Sequence, residues 1–213
     1  MTPSPSSLLW RCCFYVLAVA LAALVPRLEF LQANTEQLFT ETSALEHISL
    51  GLLFLMICIY AYCALRYRHW RSICATLSLL CLGALTRELD YFLDAAVADG
   101  GWQVLVTCVL LAVIVIISRD RDRFRRNLVR FSKCRAFGIL LSAFLTIAVF
   151  SRLFGMSTIW ESTLVDSYNR SAKNLAEEGV ELLGYALLFI GTVEARLWFS
   201  KRRTTALTPQ NTG

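Results

Sequence analysis

Charge is scarce in this sequence. Only 17% of its 213 residues are Asp, Glu, Lys or Arg, against about 25% in an average soluble domain. With a hydrophobic fraction of 56% and a mean hydropathy of +0.55, that shortage argues against a soluble globular protein. Histidine is scarcer: there are two, His47 and His69. A membrane b-type haem takes paired histidines across spans, and the topology derived below separates these two, so no haem is expected. No C-x-x-C pair occurs among the eight cysteines, and none lies in a segment assigned below to the outer side, which argues against a thiol–disulfide enzyme and a disulfide framework. The motifs G-x-x-x-x-G-K-[ST], G-x-G-x-x-G, G-x-S-x-G and H-E-x-x-H are absent, which removes the common phosphate-loop, dinucleotide, serine-hydrolase and zincin signatures. Alternating segments of about ten residues, the mark of a transmembrane barrel, are missing too.

What is there is a set of six apolar blocks. A helix needs about 20 mainly apolar residues to cross a bilayer, and unsatisfied backbone in lipid costs several kcal/mol, so such blocks become helices. The expected spans are Leu8–Val25 (closed by Pro26), Ala44–Leu65, Ser72–Leu93, Gly101–Ser118, Ala136–Ser151 and Leu175–Phe199. The fold class is therefore all-α: a polytopic transmembrane bundle filling residues 1–213 as a single membrane domain. Leu8–Val25 also has features of a cleaved signal peptide, with Arg11 before an apolar run and small residues at Ala18 and Ala20. The length of the run favours a retained anchor.

Orientation comes from the basic residues. The N-terminus, residues 66–71, residues 119–135 and the C-terminal segment hold 16 of the 21 Lys and Arg. Short cytoplasmic loops carry that excess, so both termini are expected inside, in the inner (plasma) membrane. Acids sort the other way: 13 of 16 lie on the opposite side or in helix ends facing it. Sixteen bases against three acids leave +13 inside, and five against thirteen leave −8 outside. The five tryptophans fall at or near span ends, as interfacial belts require. Loop 119–135 is a basic stretch interrupted by Phe124, Leu128, Val129 and Phe131, and the pattern predicts a short amphipathic helix against the inner surface. Its expected partners are the bilayer and anionic lipid headgroups, each base near the leaflet being worth about 1 kcal/mol. Nothing supports nucleic-acid binding.

The acids outside are not randomly placed. Glu46 and His47 open the second span, Arg87, Glu88, Asp90 and Asp94 close the third, and Glu177, Glu178 and Glu181 open the sixth. The uncharged run from Ser72 to Thr86 is only 15 residues, about 22 Å of helix against a hydrocarbon core of about 30 Å. The uncharged run Leu182–Val193 is shorter, at 12 residues. Arg87 and Glu181 are thus expected within the membrane zone, where charges face the bundle interior and pair. Arg87, Asp90, Tyr91 and Asp94 share one helical stripe, as do Glu178, Glu181 and Tyr185, and together they form the expected polar ligand site.

Helix capping accounts for part of this cluster. Ser43 with Glu46 matches a capping box, Asn174 precedes Glu177 at capping distance, and acids favour helix N-termini. Asp90, Asp94 and Glu88 sit at a C-terminus, where the dipole disfavours them. Two active roles follow. His47 with Glu46, Asp90, Asp94, Glu177 and Glu181 offers a donor set for a divalent metal, which would activate water for hydrolysis of a lipid or envelope substrate, with Glu88 or Glu181 as base. Helix bundles host such sites, though the Glu-x-x-His motif of di-iron bundles is absent. Alternatively, intramembrane carboxylates mark ion and proton paths, but no charged route leads inward from them. A third role is an envelope assembly or sensory module, using residues 27–42 and a short surface helix within 156–173. Asn169-Arg170-Ser171 is a glycosylation triplet on the outer side. Two histidines are too few for kinship with ceramidase-like hydrolases.

Overall fold

The computed structural model describes residues 5–32, 44–90, 100–164 and 168–207, and every regular element among them is helical. These are α1 (Pro5–Gln32), α2 (Ala44–Arg66), a 3-10 turn (Arg68–Trp70), α3 (Arg71–Glu88), α4 (Gly101–Arg119), α5 (Arg121–Ser132), α6 (Arg135–Leu145), a π-helical stretch (Thr146–Ser151), α7 (Arg152–Gly155), α8 (Ser157–Leu164) and α9 (Arg170–Leu207). Among the described residues, five segments are long and apolar enough to cross a membrane: Leu8–Leu28, Ala44–Arg66, Gly101–Arg119, Arg135–Gly155 and Arg170–Arg202. The chain is in this sense a membrane protein. The third expected span is the exception, because α3 carries Arg71, Arg87 and Glu88 within its 18 residues.

Several boundaries differ from those expected. Pro26 does not close α1 but lies inside it. Its ring is set against Gly179 of α9, where an added Cβ would sit 3.6 Å from Pro26 Cγ. Asn174 is not a cap: α9 begins at Arg170, and Asn169 Oδ1 accepts from the Ser171 backbone N–H at 2.9 Å. The fifth span runs on to Gly155 through the π stretch. α3 ends at Glu88, whereas Tyr91, Asp94 and Ser43 lie outside the described residues. Gly100 precedes α4, and its φ of +87° is a left-handed conformation open mainly to glycine.

The helices form two compact units. One comprises α1, the first turns of α2 and the chain from Ile139 to Ile190. Here α1 runs antiparallel to α9, since Pro26 meets Gly179 while Phe14 meets Phe189 edge-on at 6.2 Å. The fifth span is also antiparallel to α9: Gly155 abuts Glu177, Ser151 bonds Glu181, and Ile147 closes on Gly184. Small residues let membrane helices approach this closely. Leu182, Tyr185, Ala186 and Ile190 are buried along α9, while Val16, Leu17 and Leu21 of α1 are exposed, as a lipid-facing helix requires.

The other unit holds α2 from Leu50, α3, α4, α5, the start of α6, and α9 from Gly191. Leu53, Met56, Tyr60 and Cys63 form the buried stripe of α2, at the three- and four-residue spacing of a helical face. Ser78 Oγ of α3 donates to the Ile57 carbonyl of α2 at 3.2 Å, and α3 also lies along α4, with Gly83 beside Val109. Tyr60 Oη and Thr192 Oγ1 lie 3.0 Å apart, the Arg196 guanidinium is 5.8 Å from the Tyr62 ring centre, and Trp70 packs on Trp198 at 4.6 Å. Both sequences advance together, so α2 and α9 run parallel here.

Gly184 tests the close approach. An added Cβ would collide with the Ile147 side chain and sit 3.5 Å from the Ala143 carbonyl. Gly184→Ala is expected to destabilise by about 1–3 kcal/mol, the usual cost of overpacking. Gly138→Ala, with open space around it, is expected to be neutral or to stabilise by up to about 1 kcal/mol. Thermal unfolding of both variants in detergent checks this, and equal midpoints would refute the close packing at Gly184.

Candidate functional site

A polar cluster is built where the π stretch ends. A π turn inserts one residue into the helical register, which re-aims everything beyond it by about 100° at 3.6 residues per turn. Ser151 is its last residue and Arg152 the next. Ser151 is fully buried, and its hydroxyl donates to Glu181 Oε1 at 2.7 Å. Arg152 Nη2 donates to the same oxygen at 3.0 Å, and its Nη1 lies 3.8 Å from Glu177 Oε1. Lys173 Nζ reaches Glu177 Oε2 at 3.4 Å and donates to the Gly155 carbonyl at 3.2 Å. Side-chain exposures of 14% for Glu181, 15% for Lys173 and 21% for Glu177, against 52% for Arg152, place the acids inside and the arginine at the rim.

The chemistry follows from the spacing. Glu177 and Glu181 are one turn apart on α9, an arrangement that is repulsive for two anions. Arg152 lies between them, and its planar fork serves both carboxylates. Lys173 supplies the second positive charge. It also satisfies a carbonyl left open at the end of α7, as Trp160 Nε1 does for Phe154 at 2.6 Å, these being the groups a helix terminus leaves without internal partners. A Cβ at Gly155 would strike the Glu177 carboxylate and displace it from its present position.

Of the residues predicted for this site, Glu177 and Glu181 are brought into one network. Glu178 is half-buried beside them, and Tyr185 is buried one turn beyond Glu181. Glu46 and His47 lie in the first turn of α2, half-buried and exposed respectively. Arg87 and Glu88 end α3 half-buried, and Asp90 is exposed just after it. These three belong to the other unit, and Tyr91 and Asp94 lie outside the described residues. Among the described residues no group of three His, Cys, Asp or Glu side chains is placed to hold a metal ion. Ser151, Lys173 and the bridging role of Arg152 are not among the residues expected from the sequence. The Lys173–Glu177 spacing of four was the one available signal.

A second polar surface lies at the opposite end of α2 and α3. The expected amphipathic helix is α5, capped by Asp120, whose Oδ1 accepts from the Arg123 backbone N–H at 3.2 Å. Its buried face is Phe124, Asn127 and Phe131, while Leu128 and Val129 are exposed. Asn127 is buried because its amide donates to the His69 carbonyl at 2.8 Å, pinning the 3-10 turn to α5. Phe131 stacks on Phe199 at 5.5 Å and meets Trp198 edge-on at 5.8 Å. The Arg202 guanidinium lies 5.2 Å from the Trp198 ring centre, within cation–π range. Three basic segments thus converge on one aromatic cluster. Partial burial, then the guanidiniums of Arg123 and Arg130, hold the His69 imidazole below its ordinary range. Burial pushes the Cys134 thiol up, which makes it unreactive.

No protein-family model, curated protein or solved structure matches this chain.

Two outcomes follow. Glu181→Gln and Arg152→Gln are each expected to lower stability by about 1–2 kcal/mol, below the 3–5 of a fully buried pair because Arg152 is half-exposed. In a double-mutant cycle the second substitution should cost less than the first, and strict additivity of the unfolding midpoints would rule out the pairing. For His69, a folded-state value below about 6.5 means the unfolded chain binds more protons between the two values. Stability should therefore fall as pH drops through that window, and His69→Gln should flatten this dependence when melts at pH 7.5 and 5.5 are compared.

Proposed function

We propose that the chain is a multi-pass protein of the inner (plasma) membrane, crossing six times as one membrane domain with both termini cytoplasmic. Its proposed role is that of an envelope assembly or sensory module whose outward polar cluster is an ion-pair lock. The parallel packing of α2 and α9 in one unit supports the six crossings. Only an odd number of spans between two parallel spans returns the chain to the same direction. With α4 and the Arg135–Gly155 segment both taken as crossing, a crossing α3 would account for that shared direction, despite its charged ends. Its antiparallel contact with α2 and its length beside α4 fit that role. The convergence of residues 66–71, 119–135 and 196–202 on one end supports a single cytoplasmic face by the basic-residue rule.

The observation that carries the functional part is Arg152 set between Glu177 and Glu181, with Ser151 and Lys173 completing the set. Two carboxylates already matched by two cations are poor metal ligands, so the network favours a lock between helices over a metal-dependent hydrolase or a cation path.

Reporter fusions at Asp122 and Gly213 test the topology. Both are expected to report the cytoplasm, and an outward signal from either would leave α3 uncrossed and overturn the six-span arrangement. Metal analysis of the purified protein tests the lock. One equivalent of bound divalent metal, lost on Glu181→Gln, would restore the metalloenzyme reading.

A further inference from the structure

We propose that the basic cavity bounded by Arg68, Arg71, Arg119 and Arg123 binds the phosphate of an anionic phospholipid headgroup. The cavity is an open depression of about 460 Å³, within the range of small-ligand sites. Its guanidiniums come from four successive elements: the 3-10 turn, the start of α3, the end of α4 and the first turn of α5. The lining holds a single acid, Asp120. That carboxylate is already committed, capping α5 and lying 4.0 Å from Arg123. Among the described residues, Arg68, Arg71 and Arg119 have no carboxylate partner.

Converging cations without counter-charge repel one another, and here the fold holds them together. The buried Asn127 fixes the 3-10 turn onto α5, so Arg68 and Arg71 are presented beside Arg123 by construction and not by chance side-chain placement. A phosphate would offer several acceptor oxygens to these forks, with the Ser72 hydroxyl at the rim. Two further lining residues separate a lipid from a free anion. Ala75 and Ile116 form an apolar wall continuous with α3 and α4, on the side where a lipid's glycerol and acyl chains would leave the site. Arg119 ends the apolar span of α4 and Arg71 opens α3, which is the depth of headgroups. Basic pockets between membrane helices are known headgroup sites.

The proposal rests on the topology above only for the choice of the cytoplasmic leaflet. It is tested on the full chain purified in a neutral detergent, a measurement blind to sidedness, so its failure and the failure of the six-span topology are read separately. Native mass spectrometry would count phospholipids retained after titration with phosphatidylglycerol or cardiolipin, with phosphatidylcholine as the neutral arm and inorganic phosphate as the soluble arm. The wild type is expected to retain one anionic lipid. Arg71→Gln/Arg119→Gln is expected to weaken that binding roughly 30-fold, at the usual worth of two interfacial bases. Arg125→Gln/Arg126→Gln, which removes the same charge from the exposed face of α5 outside the cavity, should leave it within about twofold. Size-exclusion profiles and tryptophan emission confirm that each variant is folded. Equal loss in both double variants would reduce the site to general surface charge and overturn the proposal. Equal retention of phosphatidylcholine would also overturn it, and protection from unfolding by inorganic phosphate alone, with no lipid retained, would assign the cavity to a soluble anion.

Discussion

A carboxylate on a membrane helix must find its counter-charge inside the protein, and Glu181 finds it in Ser151 and Arg152. Much of the surrounding structure serves that contact. The Arg135–Gly155 segment approaches α9 closely enough to deliver it because Gly184 and Gly155 have no side chains. The π stretch then turns Ser151 and Arg152 toward α9. Lys173 completes the pairing and, with Trp160, satisfies the carbonyls at the end of α7. Replacing any one of these with a bulkier or uncharged group leaves a charge or a backbone group without its partner, and such a loss costs more than the intact pair contributes.

The positions of the helices were legible because apolar blocks long enough to span a bilayer have one structural outcome. Leu8–Leu28, Ala44–Arg66 and Gly101–Arg119 follow the sequence blocks within a few residues. What was not legible depends on neighbours. Pro26 marks a helix end by local rules, yet α1 continues through it, with Gly179 of α9 set against its ring. Asn174 has a capping residue's chemistry, but Asn169 holds the position because α9 starts a turn earlier. A π stretch has no sequence signature, and the partner of Glu181 depended on one. Hydrophobicity alone also misjudged α5: Leu128 and Val129 are exposed while Asn127 is buried, since its amide is needed at the His69 carbonyl.

α3 shows how packing can decide what hydropathy leaves open. Its charged ends disqualify it as an isolated apolar span. Yet Tyr60 with Thr192, Tyr62 with Arg196, and Trp70 with Trp198 define two helices running the same way. On the proposed topology that direction is reached only if α3 crosses. A short span with charged ends is tolerable when helices on both sides cover it, and α2 and α4 lie along this one.

The two polar clusters, one in each unit, solve the same electrostatic problem in opposite ways. At the Glu181 end, charges of both signs are interleaved and matched within a few ångströms, so little net field remains to attract a counter-ion. At the Trp70 end, guanidiniums gather around a cavity with one committed acid, and the fold leaves the balance to something outside itself. On the proposed lipid site, anionic headgroups would supply that balance at no cost in protein carboxylates. A positively charged end that also needed internal acids would lose the asymmetry that orients the chain. The segregation of +13 from −8 along the sequence thus has two structural counterparts, a cluster in which acids and bases are paired and one in which arginines outnumber acids.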